Sequence, residues 1–373
     1  MSSPPSRERS FQFGRLLSSL GPALALVAVY LLFAALEVAH NHRANIQKPA
    51  VFLTADNLRT IVAASAVTGI CALGMTIVIV SGGIDLSVGT GVALCATVLA
   101  CALVKDVDPW LAVILTLGTG CALGAVNGIT ISGLRVVPFI VTLGTMTAYL
   151  GAAKMLADNV AHAQTVRPKV IDVGSPNYAD NQVPEWLKVF TSTREKALWP
   201  DDDWFPAAVG PAVEWVRFPV GVWLGLLLSL IVAAVLRYTV FGRYVFALGS
   251  NEATARLCGI NVPGVRIAVY TLAGLFVGLA GLYQFSRLTS GNPTSGVGIE
   301  LKVIAAVVIG GGSLSGGRGS ILGTLAGAAL MSVIASGCTQ LGVSNSLQDV
   351  VLGVIIIAAV TLDQLRQRRF SGA

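Results

Sequence analysis

The sequence predicts an all-α polytopic membrane protein, with about ten transmembrane helices, glycine-rich broken segments and both termini in the cytoplasm. Three observations carry that prediction. Of the 373 residues, 54% are hydrophobic and only 12% are charged. Soluble domains carry roughly 25% charged residues. The apolar residues fall in uncharged runs at 16–36, 60–84, 86–104, 109–134, 136–153, 218–236, 267–286 and 319–348, most near the ~20 residues that cross a bilayer as helix. Period-two alternation is absent, which excludes a barrel, and only helices and closed barrels satisfy their backbone within lipid.

The placement of charge orients the chain. Arg7, Arg9 and Arg15 precede the first run, and Arg366, Arg368 and Arg369 follow the last. Basic residues flanking spans stay on the cytoplasmic side. Residues 1–15 and 365–373 are therefore expected as cytoplasmic tails around a membrane domain at 16–364. The formal net charge of +6 is thus accounted for by topology, and no nucleic-acid partner is expected. The run 16–36 is long for a signal peptide and no A-x-A site follows it, so it is expected to remain as the first helix.

The elements then follow in order. Span one (about 16–38) leads to a short external loop with Arg43 and Lys48, and span two (58–80) returns to a glycine-rich break at 81–89. Span three (90–104) reaches the Lys105–Pro109 turn, span four (110–132) returns to Arg135, and span five (136–156) goes out again. Residues 157–217 then carry nine acids against six bases. With Trp186, Trp199 and Trp204 among them, they read as an extracytoplasmic insertion with interfacial aromatics. A short amphipathic helix is expected near Glu185–Phe190, on the membrane surface. Span six (218–236) returns to a loop at 237–266 that bears Arg237, Arg243, Arg256 and Arg266 against Glu252, and is therefore cytoplasmic. Spans seven (267–286), eight (about 301–313, short and glycine-rich), nine (320–340) and ten (348–364) complete the count.

Chemistry-bearing residues are sparse. The six cysteines form no C-x-x-C or Cys/His cluster with metal-ligand spacing and read as small buried hydrophobes; no metal or cofactor is expected. His40, His42 and His162 are scattered near external loops, and no triad or paired carboxylates converge, which argues against a membrane enzyme.

Three glycine-rich clusters stand out. The first is Ser81-Gly-Gly-Ile-Asp-Leu-Ser-Val-Gly89, which makes Asp85 a candidate intramembrane carboxylate, costly unless it faces a cavity or a partner. Asp85 could equally cap span three through backbone N–H groups. The second is Asn251-Glu-Ala-Thr-Ala-Arg-Leu-Cys-Gly259. Asn251 can cap, Glu252 suits the positive end of a helix and Gly259 is a natural stop, with Pro263 beyond it. That predicts about two helical turns projecting into the cytoplasm, too short to stand alone, held either as a docking element or as a lid. The third, Gly310-Gly-Gly-Ser-Leu-Ser-Gly-Gly-Arg-Gly319, lacks the G-x-x-x-x-G-K-[ST] pattern of a phosphate loop and reads as a cytoplasmic turn marked by Arg318.

Together, G-G-I-D-L-S-V-G at 82–89, F-G-R-Y-V-F-A-L-G-S-N-E-A-T-A-R-L-C-G-I-N-V at 241–262 and A-A-V-V-I-G-G-G-S-L-S-G-G-R-G at 305–319 resemble the permease subunits of bacterial ribose/xylose/galactose-type ABC importers. The resemblance runs from about residue 55 to 364, excluding much of 157–217. It implies a multi-pass inner-membrane protein that lines a pathway for a monosaccharide or similar small polar solute. The implied partners are a second permease, identical or not, cytoplasmic ABC ATPase subunits, a periplasmic sugar-binding protein and membrane lipid. Asp85, Ser87, Asn127, Glu300 and Ser313 are the candidate pathway residues. Asn251, Glu252, Ala253, Arg256 and Gly259 are the candidate ATPase-coupling residues. Two departures from the family pattern are visible: the 157–217 segment is long, and Lys302 stands where an acid commonly follows Glu-Leu.

The competing reading is an ion-coupled secondary transporter that uses Asp85 as its cation or proton site, since broken helices around a buried acid would suit one. A cytoplasmic helix at 251–259 is not something a symporter needs. The missing phosphate loop leads to a direct expectation: the purified chain alone neither binds nor hydrolyses ATP. Tight nucleotide binding by a preparation shown to be free of ATPase subunits would overturn it.

Overall fold

The structure is a computed structural model that describes residues 6–43, 50–160, 169–173, 183–188 and 218–371. Helix α1 is Ser6–Arg43, α2 Ala55–Val80, α3 Val88–Val104, α4 Pro109–Leu134 and α5 Pro138–Val160. Strand β1 (Ile171–Asp172) and the short α6 (Glu185–Lys188) follow. Then come α7 Val220–Tyr238, α8 Val240–Ser250, α9 Glu252–Leu257, α10 Val262–Leu288, β2 Ser290–Gly291, α11 Ile299–Ile309, α12 Ile321–Gln340 and α13 Asn345–Ser371. Each of the ten expected spans falls on one of these helices. Seven helices among the described residues are long and apolar enough to cross a membrane. Of the others, α3 has 17 residues and α11 has 11.

Local sequence explains where the helices begin. Thr54 accepts from the Asn57 N–H at the start of α2, and Asp108 Oδ1 accepts from Trp110 N–H at 3.0 Å, with Pro109 opening α4. A side-chain oxygen at this position satisfies one of the donors that a helix start leaves free. Pro263, expected as a barrier beyond α9, lies in the first turn of α10 behind an Asn261 cap; proline is tolerated there because that N–H would be unpaired anyway.

Several expectations shift in detail. The tails expected at 1–15 and 365–373 are helical from Ser6 and as far as Ser371. Span eight ends at Ile309 rather than at 313, because Gly311 turns to φ 91° and stops the helix. The surface helix expected near Glu185–Phe190 is one turn at Glu185–Lys188, with Leu187 fully buried and Trp186 stacked on Trp110 at 4.4 Å. Phe190, Trp199, Trp204 and most of 157–217 lie outside the described residues. A two-residue antiparallel pairing, Ile171 with Gly291 and Asp172 with Ser290, ties this segment to the end of α10. Cys258 is exposed and Cys121 half-buried, while the other four cysteines are buried as expected.

Helices α2 and α10 are the central posts. In their most apolar windows, 78% and 61% of residues are buried in protein, a share that α12 matches at 61%, against 22% for α4. The outer helices turn Leu24, Leu31, Ile114, Ile129, Leu230 and Ile357 outward, a surface that suits lipid and would be an aggregation hazard in water. Lipid gives helices no hydrophobic reason to associate, so small residues that let backbones approach are the main packing device. Between α4 and α10 this is explicit. A Cβ added at Gly124 would run into the Tyr270 carbonyl, one at Gly120 into the Gly274 carbonyl, and one at Gly128 would meet Ile267 Cα at 2.8 Å.

This contact generates a test. Gly124→Ala is expected to lower stability by about 1–3 kcal/mol through overpacking, visible as an earlier thermal transition in detergent. Gly118→Ala, on the same helix with open space where the Cβ would go, should leave the transition in place. Equal behaviour of the two variants would remove α4–α10 contact as the packing determinant.

Candidate functional site

Between α2 and α3 the chain unwinds for seven residues, Ser81 to Ser87, and the three glycine-rich motifs meet around this break. Gly82 takes φ 82°, and the N–H groups of Gly82 and Gly83 return to the carbonyls of Ile79 and Val78. The hydroxyls of Thr142 and Tyr270 both donate to the Ile84 carbonyl at 3.3 Å. A Cβ at Gly83 would meet the Tyr270 hydroxyl at 2.6 Å. Glycine is therefore required at the point where the loop touches α10.

Asp85 is 3% exposed and does not cap α3 in the expected way. Its Oδ1 accepts from the N–H and the hydroxyl of Ser87, at 2.8 and 2.6 Å. Ser87 is itself the residue preceding α3, so the carboxylate closes a tight turn two residues early rather than satisfying donors inside the helix. Ser87 Oγ in turn accepts from Asn127 Nδ2 at 2.9 Å. Tyr149 donates to the Leu123 carbonyl at 2.9 Å and lies 3.3 Å from Asn127 Oδ1. Three candidate pathway residues, Asp85, Ser87 and Asn127, thus form one buried chain of hydrogen bonds from the loop through α4 to α5. Tyr149 is the member that the sequence reading missed; a tyrosine in an apolar run carries no signal of its own.

Glu300 and Ser313 do not join this chain. Glu300 lies in the first turn of α11, 6% exposed, with Oε1 accepting from Gly298 N–H at 3.1 Å and Oε2 without a hydrogen-bond partner among the described residues. It presses on Gly89 in the first turn of α3, where a Cβ would collide with Glu300 Oε2 and the Gly296 carbonyl. Ser313 sits in the turn after α11; its N–H donates to the Arg318 carbonyl and its Oγ accepts from Ser315 N–H.

The six-residue α9 has the caps that its sequence suggested. Asn251 Oδ1 accepts from Thr254 N–H at 2.9 Å, and Gly259 ends the helix at φ 78°. Glu252 holds two arginines at once: Arg256 one turn along, and Arg266 at the start of α10, each at 2.7 Å. The Arg256 hydrogen bond, reinforced by Arg266, keeps the Glu252 carboxyl below its ordinary range despite partial burial. Ala255 is buried, whereas Ala253, Arg256 and Leu257 are exposed, Leu257 at 89%.

The junction of the three motifs is built from bare backbone. Gly317 N–H donates to the Val80 carbonyl at 2.8 Å. Gly249, one residue before the end of α8, lies so close to the same carbonyl that no Cβ could be added, and a Cβ at Gly316 would meet Gly82 Cα at 3.0 Å. The residues leading into α9, the base of the Asp85 loop and the 310–319 turn therefore meet through glycines packed on the Val80 backbone.

At the other end of α2 and α10 lies a cavity of about 740 Å³, lined by Asn57, Gln284, Arg287, Lys302 and Gln340 among others. None of the five candidate pathway residues lines it. No group of three or more His, Cys, Asp or Glu residues is placed to hold a metal among the described residues.

Comparison with known proteins fits this arrangement. The family model described as "Branched-chain amino acid transport system / permease component" matches residues 57–360. The chain is 39% identical over 317 residues to the ribose import permease protein RbsC of Escherichia coli K12, covering 85% of this chain and 88% of that one. It is 35% identical over 359 residues to RbsC of Bacillus subtilis, covering 96% and 97%. It is 34% identical over 353 residues to the xylose transport system permease protein XylH of E. coli K12, covering 85% and 87%. No solved structure matches the chain. With the family model spanning all three glycine-rich motifs and most of the membrane helices, this multi-pass membrane protein belongs to the branched-chain amino acid transport system / permease component family.

Proposed function

We propose that the chain is the permease subunit of an ATP-binding-cassette importer in the bacterial inner membrane, carrying a monosaccharide or similar small polar solute handed over by a periplasmic binding protein. ATP is hydrolysed on a separate cytoplasmic chain, and a second permease, identical or not, completes the pathway. The names of the ribose and xylose relatives support the substrate class. The ion-coupled alternative through Asp85 has no counterpart among them. Ten spans with both termini inside, and 157–217 outside, are part of the same reading. In it, α3, α11 and α13 complete the seven long spans, and the arginines at both ends and in 237–266 face the cytoplasm.

The observation that carries the mechanism is α9 and what it is attached to. A six-residue helix does not persist by itself. Here a side-chain cap and the Glu252–Arg256 pair hold the helix together, the Glu252–Arg266 bridge ties it to α10 and Ala255 is buried, while Arg256 and Leu257 face outward. An apolar side chain beside a charge on a small rigid element is a good docking surface. Movement of α9 draws on Ser250 and Gly249, and Gly249 bears on the Val80 carbonyl at the foot of the Asp85 loop. The Asp85–Ser87–Asn127 chain is then the element that responds, resetting the break between α2 and α3 when the ATPases close or open.

Two outcomes test this. Within α9 the Glu252–Arg256 pair is worth only about 0.2–0.5 kcal/mol, whereas reversing a charge at a protein interface costs several kcal/mol. Arg256→Glu is expected to leave the permease inserted but to release the ATPase or uncouple hydrolysis from uptake; retained ATPase stoichiometry and substrate-stimulated hydrolysis would make α9 a lid. Asp85→Ala strips the acceptor from two Ser87 donors, a change of about 1–3 kcal/mol. It is expected to cut uptake by at least roughly tenfold with membrane level and ATPase association preserved, and wild-type uptake would exclude Asp85 from the transport cycle.

A further inference from the structure

The cavity of about 740 Å³ lies between the ends of α2, α10, α11 and α12 that point away from α9. Its size falls in the range of sites that enclose a small molecule, and its floor is fixed. Asn57, 6% exposed, donates to the Phe52 carbonyl at 2.9 Å and accepts from Gln340 Nε2 at 2.6 Å and Ser336 Oγ at 3.3 Å. Gln284, 7% exposed, donates to the Ser295 carbonyl at 3.2 Å. Polar groups held this way are preorganised, which lowers the cost of binding.

The charge of the cavity is one-sided. Arg287 and Lys302 line it, and its wall contains no Asp, Glu or aromatic residue among those described. Neither cation has a carboxylate within ion-pair distance among the described residues. Lys302 also stands near the N-terminal end of α11, where the positive end of the helix dipole disfavours a cation and favours an anion. The neighbouring carboxylate, Glu300, is turned toward Gly89 and does not line the cavity. A lysine, an arginine and a helix start border a space in which amides and hydroxyls stand among apolar side chains, and together they describe a receptor for an anion that also carries hydroxyl groups.

We infer that this cavity is an entry chamber selective for a polyhydroxylated carboxylate, that is, a sugar acid rather than a neutral sugar, held by Lys302 and Arg287. The inference rests on the permease reading above and names its substrate class. In it, the carboxylate meets the two cations and the hydroxyls meet Asn57, Gln284 and Gln340, with no bond made or broken.

The test uses the full chain with its ATPase partner in nanodiscs, without the binding protein, and two matched pairs of probes: D-galacturonate against D-galactose, and D-ribonate against D-ribose. Equilibrium dialysis is expected to show saturable binding of the acids at least about tenfold tighter than that of the neutral sugars, the scale of one charge-assisted contact. That binding should weaken as salt rises. Lys302→Gln should abolish the preference and Lys302→Arg should keep it. Equal binding within each pair, no binding of either acid, or a preference untouched by Lys302→Gln would overturn the inference. In a second assay with the binding protein added, a Lys302→Gln variant that loses only its docking while keeping the acid preference would also overturn it, since the cations would then belong to a protein contact. Failure of the permease reading shows separately, as an ATPase that never co-purifies with the chain.

Discussion

Helices in lipid gain nothing from hiding apolar surface, because the solvent around them is equally apolar. What remains to hold them is distance, and distance is set by whether a Cβ stands in the way. Among the described residues, glycines make several such close approaches: Gly120, Gly124 and Gly274 between α4 and α10, Gly327 against the Ala306 carbonyl between α11 and α12, and Gly249 against Val80 at the motif junction. The helices that carry these contacts also carry the functional loops, so the same constraint fixes the core and the site. Asn127 reaches Ser87, and Tyr270 reaches Ile84, because α4 and α10 are pressed together by their glycines.

Polar chemistry is concentrated at the two ends of this packed centre and is treated differently at each. At the α9 end, charges are paired: Glu252 is shared between two arginines and its acidity is increased by them. At the opposite end, Arg287 and Lys302 face a cavity with no acidic residue in its wall among those described. Between them, Asp85 and Glu300 are buried with hydrogen bonds from a serine and a backbone N–H, and among the described residues neither has a cation within ion-pair distance. An intramembrane carboxylate so placed is expensive, which is the strongest physical reason to connect this region with transport rather than with stability.

Much of this was readable from the sequence, for definable reasons. Hydropathy located every long helix because lipid makes length and apolarity the criteria. The α9 caps were readable because Asn251 and Gly259 act on backbone within a few residues of themselves. The sequence left Asp85 open between a buried carboxylate and a helix cap, because cap and tight turn use the same local alphabet, and only the φ 82° of Gly82 and the position of Ser87 separate the two. Tyr149, the β1–β2 pairing and the shared cavity of Arg287 and Lys302 were not readable, since each depends on residues far apart in the chain that only packing brings together. The meeting of the three glycine-rich motifs is the clearest case: each was visible separately, and nothing in a linear pattern says that Gly82, Gly249 and Gly316 touch.

The burial of α2 has a consequence for how the protein is made. Helices enter a bilayer one or two at a time, before most of their eventual neighbours have been synthesised. A helix that ends with 78% of its most apolar window enclosed by protein must still look like a lipid-facing one when it is first inserted. Its uniform apolarity therefore answers to an early, lonely environment, while its glycines and threonines answer to the later, crowded one. Asp85, directly behind α2, is tolerable in the second environment and poorly suited to the first. Its neighbours Ser87, Asn127 and Tyr149 arrive in chain order, so the charge is covered stepwise as α3, α4 and α5 follow it into the membrane.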